Sequence, residues 1–448
     1  MTDASNVFVR NGVPTITYVA RHELMLEENL KNEITQLTKI VHVKSISKTG
    51  KTVLIQHVMS ENHLNYVTIN GSDFVLEEDF AATIAAIIGV ELESEILKTQ
   101  SATKVNFSAE VRAGFLRLFD IGFNTGDDLV KTKTYVGQRH TPVRDSLLRF
   151  LLQNDIVIVF DDFHFIDEEK QIKILRALKS WSQSGARFII ATTPGRSKEL
   201  SDIEPDLSGR YDSLSIPTWT TADLIMVGKK GFDYLGIPYD EPALSFLARY
   251  SFRNPQLMQS FCLFAALDVK NKLTVEHARG AIQKYYERNI DAGKRYLIDL
   301  EKGPDEHGTQ RTVRPAIGNP DADIYNLIVR ATASLSLDHE KVPYPTFTKE
   351  VKSFTDNIED NNSFNGSLTN SLHHIVSIQA VKHKKESPLI VYESEKNEVL
   401  FQNSHIAFLL NWTSTLDKLC DLEKEAESKK SRNGNVENQI DLFDQTFN

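Results

Sequence analysis

The stretch "SISKTGKTVLIQHV" closes a short polar loop with Gly50, Lys51 and Thr52 and then runs on with helical spacing. An apolar run, Ile40 to Val43, precedes it and predicts a buried strand. A strand, a polar loop and a helix in this order suit an anion. Backbone N–H groups and a helix N-terminus can surround phosphate, a lysine neutralises charge, and a Ser or Thr hydroxyl ligates magnesium. Ser47, Lys48, Thr49 and Gly50 would form the loop, with Lys51 on the phosphates and Thr52 on the metal. Ser45 stands where such loops begin with Gly. The substitution removes conformational freedom at the loop entrance but deletes no charged contact. A chance Gly-Lys-Thr turn before a helix is the competing reading.

A second motif makes that chance less credible. "IVIVFDDFHFID" is an apolar strand ending in Asp161 and Asp162. One carboxylate at a strand end can hold magnesium through water, and a second can orient or deprotonate an attacking water. Asp161 is assigned to the metal and Asp162 to the water; a strand capped by two solvated acids is the alternative. A third strand, "RFIIAT", ends in Thr192 and Thr193, so Thr193 is placed to sense a terminal phosphate from a neighbouring strand. A turn-forming Thr pair before Pro194 competes with that assignment. Arg210, in "PDLSGRYDSLSIP", offers a planar cation for a phosphoryl group in its own subunit or across an interface. Arg196 is a weaker candidate of the same kind, and a surface ion pair is the plain alternative for both.

These residues need a scaffold. Apolar runs alternate with helical periodicity from about 38 to 217, which predicts an α/β unit with a parallel sheet covered on both faces. From 220 to 300 the strand signals stop and helical spacing takes over, as in a helical lid. "LEKGPDEHGTQRTVRPAIGNPD" gathers Gly, Pro and charge without periodicity and reads as a linker. Three helical segments and a hairpin around "SEKN" follow, which is winged-helix order. The expected division is therefore 1–219 core, 220–300 lid, 301–322 linker, 323–418 winged helix and 419–448 disordered tail. In a winged helix the third helix can enter a DNA groove. Here it carries His373 and His374, and Lys382, Lys384 and Lys385 would meet phosphates beside the wing. A winged helix used only for packing is the competing reading.

Composition narrows the classes. A formal charge of -10 over 448 residues excludes a uniformly basic nucleic-acid coat. Two cysteines, Cys262 and Cys420, provide neither a disulfide framework nor paired zinc-ligand spacing. "MTDASNVFVRNG" shows no signal-peptide pattern, and no apolar run is long enough to span a bilayer. A cytoplasmic chain without a membrane partner is expected.

Taken together, the motifs resemble the bacterial STAND and origin-recognition-like branch of P-loop ATPases, within or beside the AAA+ class, over roughly Thr15 to Leu267. The resemblance implies an ASCE/AAA+-like P-loop fold with a helical lid, followed by a winged-helix domain. It also implies ATP and magnesium as cofactors and slow hydrolysis. In "TYVARHELMLEENL" it places Tyr18 and Arg21 near the adenine. "SFRNPQLMQSFC" resembles a Gly-x-Pro lid motif in which Pro255 lies against the nucleotide. Arg253 replaces its Gly and would read a phosphate. Members use nucleotide state to control assembly of a homo-oligomer or a separate effector protein, often in bacterial defence or mobile-element biology. Near the end, "QIDLF" resembles a peptide that docks on the DNA sliding clamp, with Gln439 as anchor and Leu442 and Phe443 filling an apolar pocket. A replication-linked DNA-binding ATPase and a nucleotide-binding scaffold without turnover therefore stay open beside the switch.

Overall fold

The computed structural model describes residues 3–37, 40–75, 80–88, 106–107, 143–193, 198–304, 313–316, 319–355, 362–383 and 386–414. The chain divides into two compact units, Met1–Ile237 with Arg253–Leu263, and Pro238–Phe252 with Phe264–Asn448. The segment expected as a lid contributes to both. Among the described residues no helix is long and apolar enough to cross a membrane.

The first unit is built on six strands: β1 (Ile40–Lys44), β2 (Asn65–Asn70), β3 (Asn106–Phe107), β4 (Ile156–Asp161), β5 (Arg187–Thr192) and β6 (Asp212–Ser215). Their order is β3-β2-β4-β5-β1-β6. Five strands run parallel, and β3 pairs antiparallel with β2. The expected parallel α/β sheet is present, with the topology of an AAA+ P-loop fold. β1, β4 and β5 are almost continuously buried because both faces are covered, and successive side chains serve opposite cores. Ile158, Phe160, Phe188 and Ile190 join one core with the helices Phe80–Ile88 and Glu168–Gln183. Val41, Val43, Val157 and Ile189 join the other with Leu54, Ile55 and Val58 of the helix Lys51–Glu61.

This order decides where chemistry can occur. Parallel strands send their C-terminal ends to one edge, and β5 lies between β1 and β4. The loop after β1, the acids ending β4 and the threonines ending β5 therefore meet at that edge. In the same unit, the helix Thr221–Leu235 starts at a capping box in which Thr220 Oγ1 accepts from the Asp223 backbone and Asp223 accepts from the Thr220 backbone. Gly231 on that helix admits the ring of Phe8, since a Cβ there would sit 2.2 Å from it. The N-terminal segment is thus packed against the helix.

The second unit follows a different logic. Its helices Ile324–Leu335, Tyr344–Ser353 and Asn362–Lys382 alternate with β9 (Lys341–Pro343), β10 (Ile390–Glu393) and β11 (Glu398–Phe401). The strands pair antiparallel in the order β10-β11-β9. Helix, strand, helix, helix, strand, strand is winged-helix order. The hairpin lies where the sequence predicts it, whereas β9 goes unpredicted because three residues with one buried side chain, Val342, carry no period. The stretch read as linker contributes a short antiparallel pair, β7 (Arg314–Ala316) with β8 (Asn319–Ala322). Gln379 fixes the start of β10: its carbonyl accepts from the backbone of Leu389 at 2.7 Å and Ile390 at 3.1 Å and from the Tyr296 hydroxyl at 2.8 Å.

Gly71 follows β2 and donates its N–H to the Asp161 carbonyl at 2.8 Å. A Cβ at this position would lie 2.3 Å from the carbonyl oxygen of Asp162. Gly71→Ala must therefore displace backbone and should destabilise the protein by about 1–3 kcal/mol in urea unfolding. A variant as stable as the parent would contradict this packing.

Candidate functional site

The loop from Ser45 to Gly50 curls because two residues take left-handed backbone, Lys48 at φ 64° and Gly50 at φ 99°. Gly50 has open space around it, so conformation rather than crowding demands the glycine. Directly after it, Lys51 is only 6% exposed, which is rare for a lysine. Its Nζ donates to the Ser45 carbonyl and to Thr193 Oγ1, each at 3.2 Å. Burial pulls its pKa down, and the charges of Asp162 and Asp161 oppose that shift. Thr52 Oγ1 donates to Asp161 Oδ2 at 2.6 Å, and the Asp162 N–H donates to Asp161 Oδ1 at 3.0 Å. Burial raises the pKa of Asp161; the Thr52 hydrogen bond works against it. Asp162, at φ 51°, turns into the cleft beside Lys51.

Ser45 explains its own departure from Gly. It does not adopt left-handed backbone, so a side chain costs no strain. The side chain is buried, its hydroxyl reaches the Ile46 carbonyl at 3.1 Å, and it lies 2.6 Å from Thr49 Oγ1. Thr49 Oγ1 is also 2.8 Å from the Ile46 carbonyl. The loop is stapled end to end by hydroxyls.

A cleft of about 730 Å³ extends from this cluster to the N-terminal segment, a volume suited to a small-molecule ligand. Ser47, Lys48, Thr49, Gly50, Lys51 and Thr52 line it with Asp162. Tyr18, Arg21, Trp219 and Pro255 line it as well. Tyr18 donates its hydroxyl to Glu27 at 2.6 Å, and its ring stacks on His57 at 3.9 Å between centroids. Burial pushes the Tyr18 phenol pKa up. Arg21 donates to the carbonyls of Pro217 at 2.8 Å and Thr218 at 3.2 Å, and its guanidinium lies 4.9 Å above the Trp219 ring. Arg21 therefore braces the wall with its charge. Trp219 Nε1 in turn donates to the Thr49 carbonyl at 2.8 Å, joining the phosphate loop to the start of the helix Thr221–Leu235.

Other predicted residues lie elsewhere. Arg210 is exposed in a turn beside Asp206 and does not line the cleft. Arg253 is half-buried and also outside the lining. Its φ of 56° keeps the conformation that a glycine would adopt more readily there. In the second unit, Lys382 lies 3.6 Å from Asp299, and the Tyr325 hydroxyl lies 2.9 Å from His374 Nδ1. Lys384, Lys385, Gln439, Leu442, Phe443 and Arg196 lie outside the described residues.

Several residues escaped the sequence reading. Trp219 stands just before a helix cap, a position that gives no hint of a loop contact. Gln256 and Gln259 share one helix face with the cleft, and their i, i+3 spacing after Pro255 was the available signal. His42 interrupts the apolar run of β1; it is buried, with Nε2 2.8 Å from Thr192 Oγ1 and Nδ1 3.7 Å from Glu199.

Residues 46–215 match the family of ATPases associated with various cellular activities (AAA), which supports nucleotide binding and ATPase activity at a general level. No curated protein matches the chain. Among solved structures, the chain is similar to the Walker-type ATPase PABY2304 of Pyrococcus abyssi at 13% identity, covering 88% of this chain and 99% of that one with a TM-score of 0.49. It is also similar to the Thermotoga maritima RuvB Holliday junction branch migration motor at 10% identity, covering 86% and 93% with a TM-score of 0.40. The Aeropyrum pernix Orc1 protein in complex with DNA is similar at 12% identity, covering 93% and 98% with a TM-score of 0.41.

His42 also sets a pH dependence. Burial lowers its pKa to about 4, with Glu199 opposing the shift and Lys44 adding to it. The unfolded chain accepts a proton near pH 6.5 that the folded chain refuses until about pH 4. Stability is therefore lost as pH falls through this window, by roughly 2–3 kcal/mol at about pH 4.5. His42→Gln should flatten the urea-derived stability profile between pH 7 and 4.5; an unchanged slope would contradict the buried neutral imidazole.

Proposed function

We propose that the first unit binds ATP with magnesium, hydrolyses it slowly, and uses its nucleotide state as a switch that controls assembly or a separate effector protein. One observation carries this reading: Lys51 donates to Thr193 and the adjacent Thr52 to Asp161, directly behind the phosphate-loop residues that line the cleft. Lys51 would neutralise the β- and γ-phosphates while the N–H groups of the loop Ser47–Gly50 surround them. Thr52 and Asp161 are hard oxygen donors already oriented toward one another, and they would hold magnesium together with water and phosphate. Asp162 would orient the attacking water, and Thr193 would sense the terminal phosphate. An aspartate reaches less far than a glutamate, which favours slow turnover. Tyr18 and Arg21 shape the base end, and Pro255 closes against the nucleotide.

The link from Trp219 to the Thr49 carbonyl supports the switch, because a ligand that moves the loop strains the start of the next helix. Arg210, exposed and outside the lining of its own cleft, would serve a neighbouring subunit in a homo-oligomer. Arg253 would approach phosphate only after a change in the lid. The division into core, lid, linker, winged helix and tail belongs to this proposal, as do a cytoplasmic setting and a role in bacterial defence or mobile-element biology.

The winged-helix element order favours a second reading, a replication-linked ATPase that binds double-stranded DNA. Lys382, Lys384 and Lys385 would touch the DNA backbone, although the Lys382 ammonium already has Asp299 beside it. Gln439, Leu442 and Phe443 would dock on the sliding clamp.

Phosphate release with magnesium and ATP, measured with and without double-stranded DNA, separates these readings. The switch predicts release on the order of 10⁻³–10⁻² s⁻¹ that is abolished by Lys51→Ala and indifferent to DNA. Stimulation by DNA would move the second reading ahead. Tight ATP binding without release would leave a nucleotide-binding scaffold, and release that survives Lys51→Ala would overturn the site.

A further inference from the structure

The helix Pro255–Asp268 turns two glutamines toward the cleft, and their amides are engaged differently. Gln256 Nε2 donates to the Arg10 carbonyl at 3.0 Å and to Asn11 Oδ1 at 3.2 Å, so this residue holds the N-terminal segment in place. Gln259 is 4% exposed, and its Nε2 donates to Thr17 Oγ1 at 2.7 Å. The direction of that bond is fixed by its neighbour. Thr17 has one hydroxyl proton and gives it to the Val7 carbonyl at 3.0 Å, so its oxygen can only accept from Gln259. The amide cannot flip without losing this bond. Among the described residues, Gln259 Oε1 is consequently a buried acceptor without a protein donor.

A buried carbonyl left unpaired costs about 1–3 kcal/mol, so an orphan in a cleft wall invites a ligand donor. The same cleft is also lined by the apolar residues Val19, Val227 and Pro255. A flat ring that places one N–H donor at this point would satisfy both features. We infer that Gln259 is the base-selecting residue: its Oε1 accepts from the exocyclic amino group of adenine and discriminates 6-aminopurine from 6-oxopurine nucleotides. The inference rests on the nucleotide reading of the cleft. In a 6-oxopurine, a carbonyl oxygen replaces the amine and faces Oε1, acceptor against acceptor. The Thr17 bond fixes which amide atom is left unpaired, so the N-terminal segment and the helix define the specificity together.

Equilibrium binding of ATP and ITP to the full chain tests this, with the ratio of the two affinities as the readout. The parent protein should favour ATP by roughly tenfold to a hundredfold. Gln259→Leu should bring the ratio near one. Gln259→Glu, which keeps an acceptor but loses the donor to Thr17, should retain the preference; a merely structural glutamine would make the two variants behave alike. If Gln259→Leu fails to fold, purine riboside triphosphate, which has hydrogen in place of the amine, should bind the parent protein about as weakly as ITP. No preference in the parent protein, or a preference that survives Gln259→Leu, would overturn the inference. Lys51→Ala should weaken both nucleotides and leave their ratio unchanged. Absence of any Lys51-dependent binding would instead overturn the underlying nucleotide reading.

Discussion

The buried ammonium of Lys51 is the constraint around which the first unit is arranged. A lysine charge withdrawn from water is strongly unfavourable unless oxygen atoms and opposite charge surround it. Here the Ser45 carbonyl, the Thr193 hydroxyl and the nearby Asp161 and Asp162 meet that requirement. They come from three different strand ends. Only a parallel sheet with β5 between β1 and β4 brings them to one edge, so strand order is itself part of the site.

A second layer of contacts ties this cluster to the rest of the unit. Trp219 holds the loop carbonyl of Thr49, Arg21 braces the Trp219 ring, and Lys230 donates to the Tyr18 carbonyl at 2.6 Å. The N-terminal segment is fastened to the helices beyond the sheet through Gln256 and Gln259. A change at the phosphate loop therefore has a direct mechanical route through Trp219 to Arg21 and to the helix Thr221–Leu235. The substitution at Ser45 belongs to the same economy: its hydroxyl stiffens a loop that glycine would leave looser.

Much of this was legible because it rests on local pattern. The largely apolar runs of β1, β4 and β5 announced strands buried on both faces, and Gly50-Lys51-Thr52 with Asp161 and Asp162 announced the charge chemistry. Tertiary partners were not legible. Nothing near Trp219 in sequence points to Thr49, which lies 170 positions away. His42 read as one more residue of a strand because its partners, Thr192 and Glu199, arrive from a distant segment. β9 is too short to show alternation, and the pair β7 and β8 forms in a stretch whose Pro and Gly content suggested only a linker. Arg210 and Arg253 were singled out by residue type alone, and neither lines the cleft of its own chain.

The most direct test of the account is a titration of the protein with a fluorescent ATP analogue, with and without magnesium, in the parent chain and in Thr52→Ala. The account predicts saturable one-to-one binding that magnesium strengthens in the parent chain, with the magnesium effect lost in the variant. Absence of saturable binding, or a magnesium effect that survives Thr52→Ala, would contradict it.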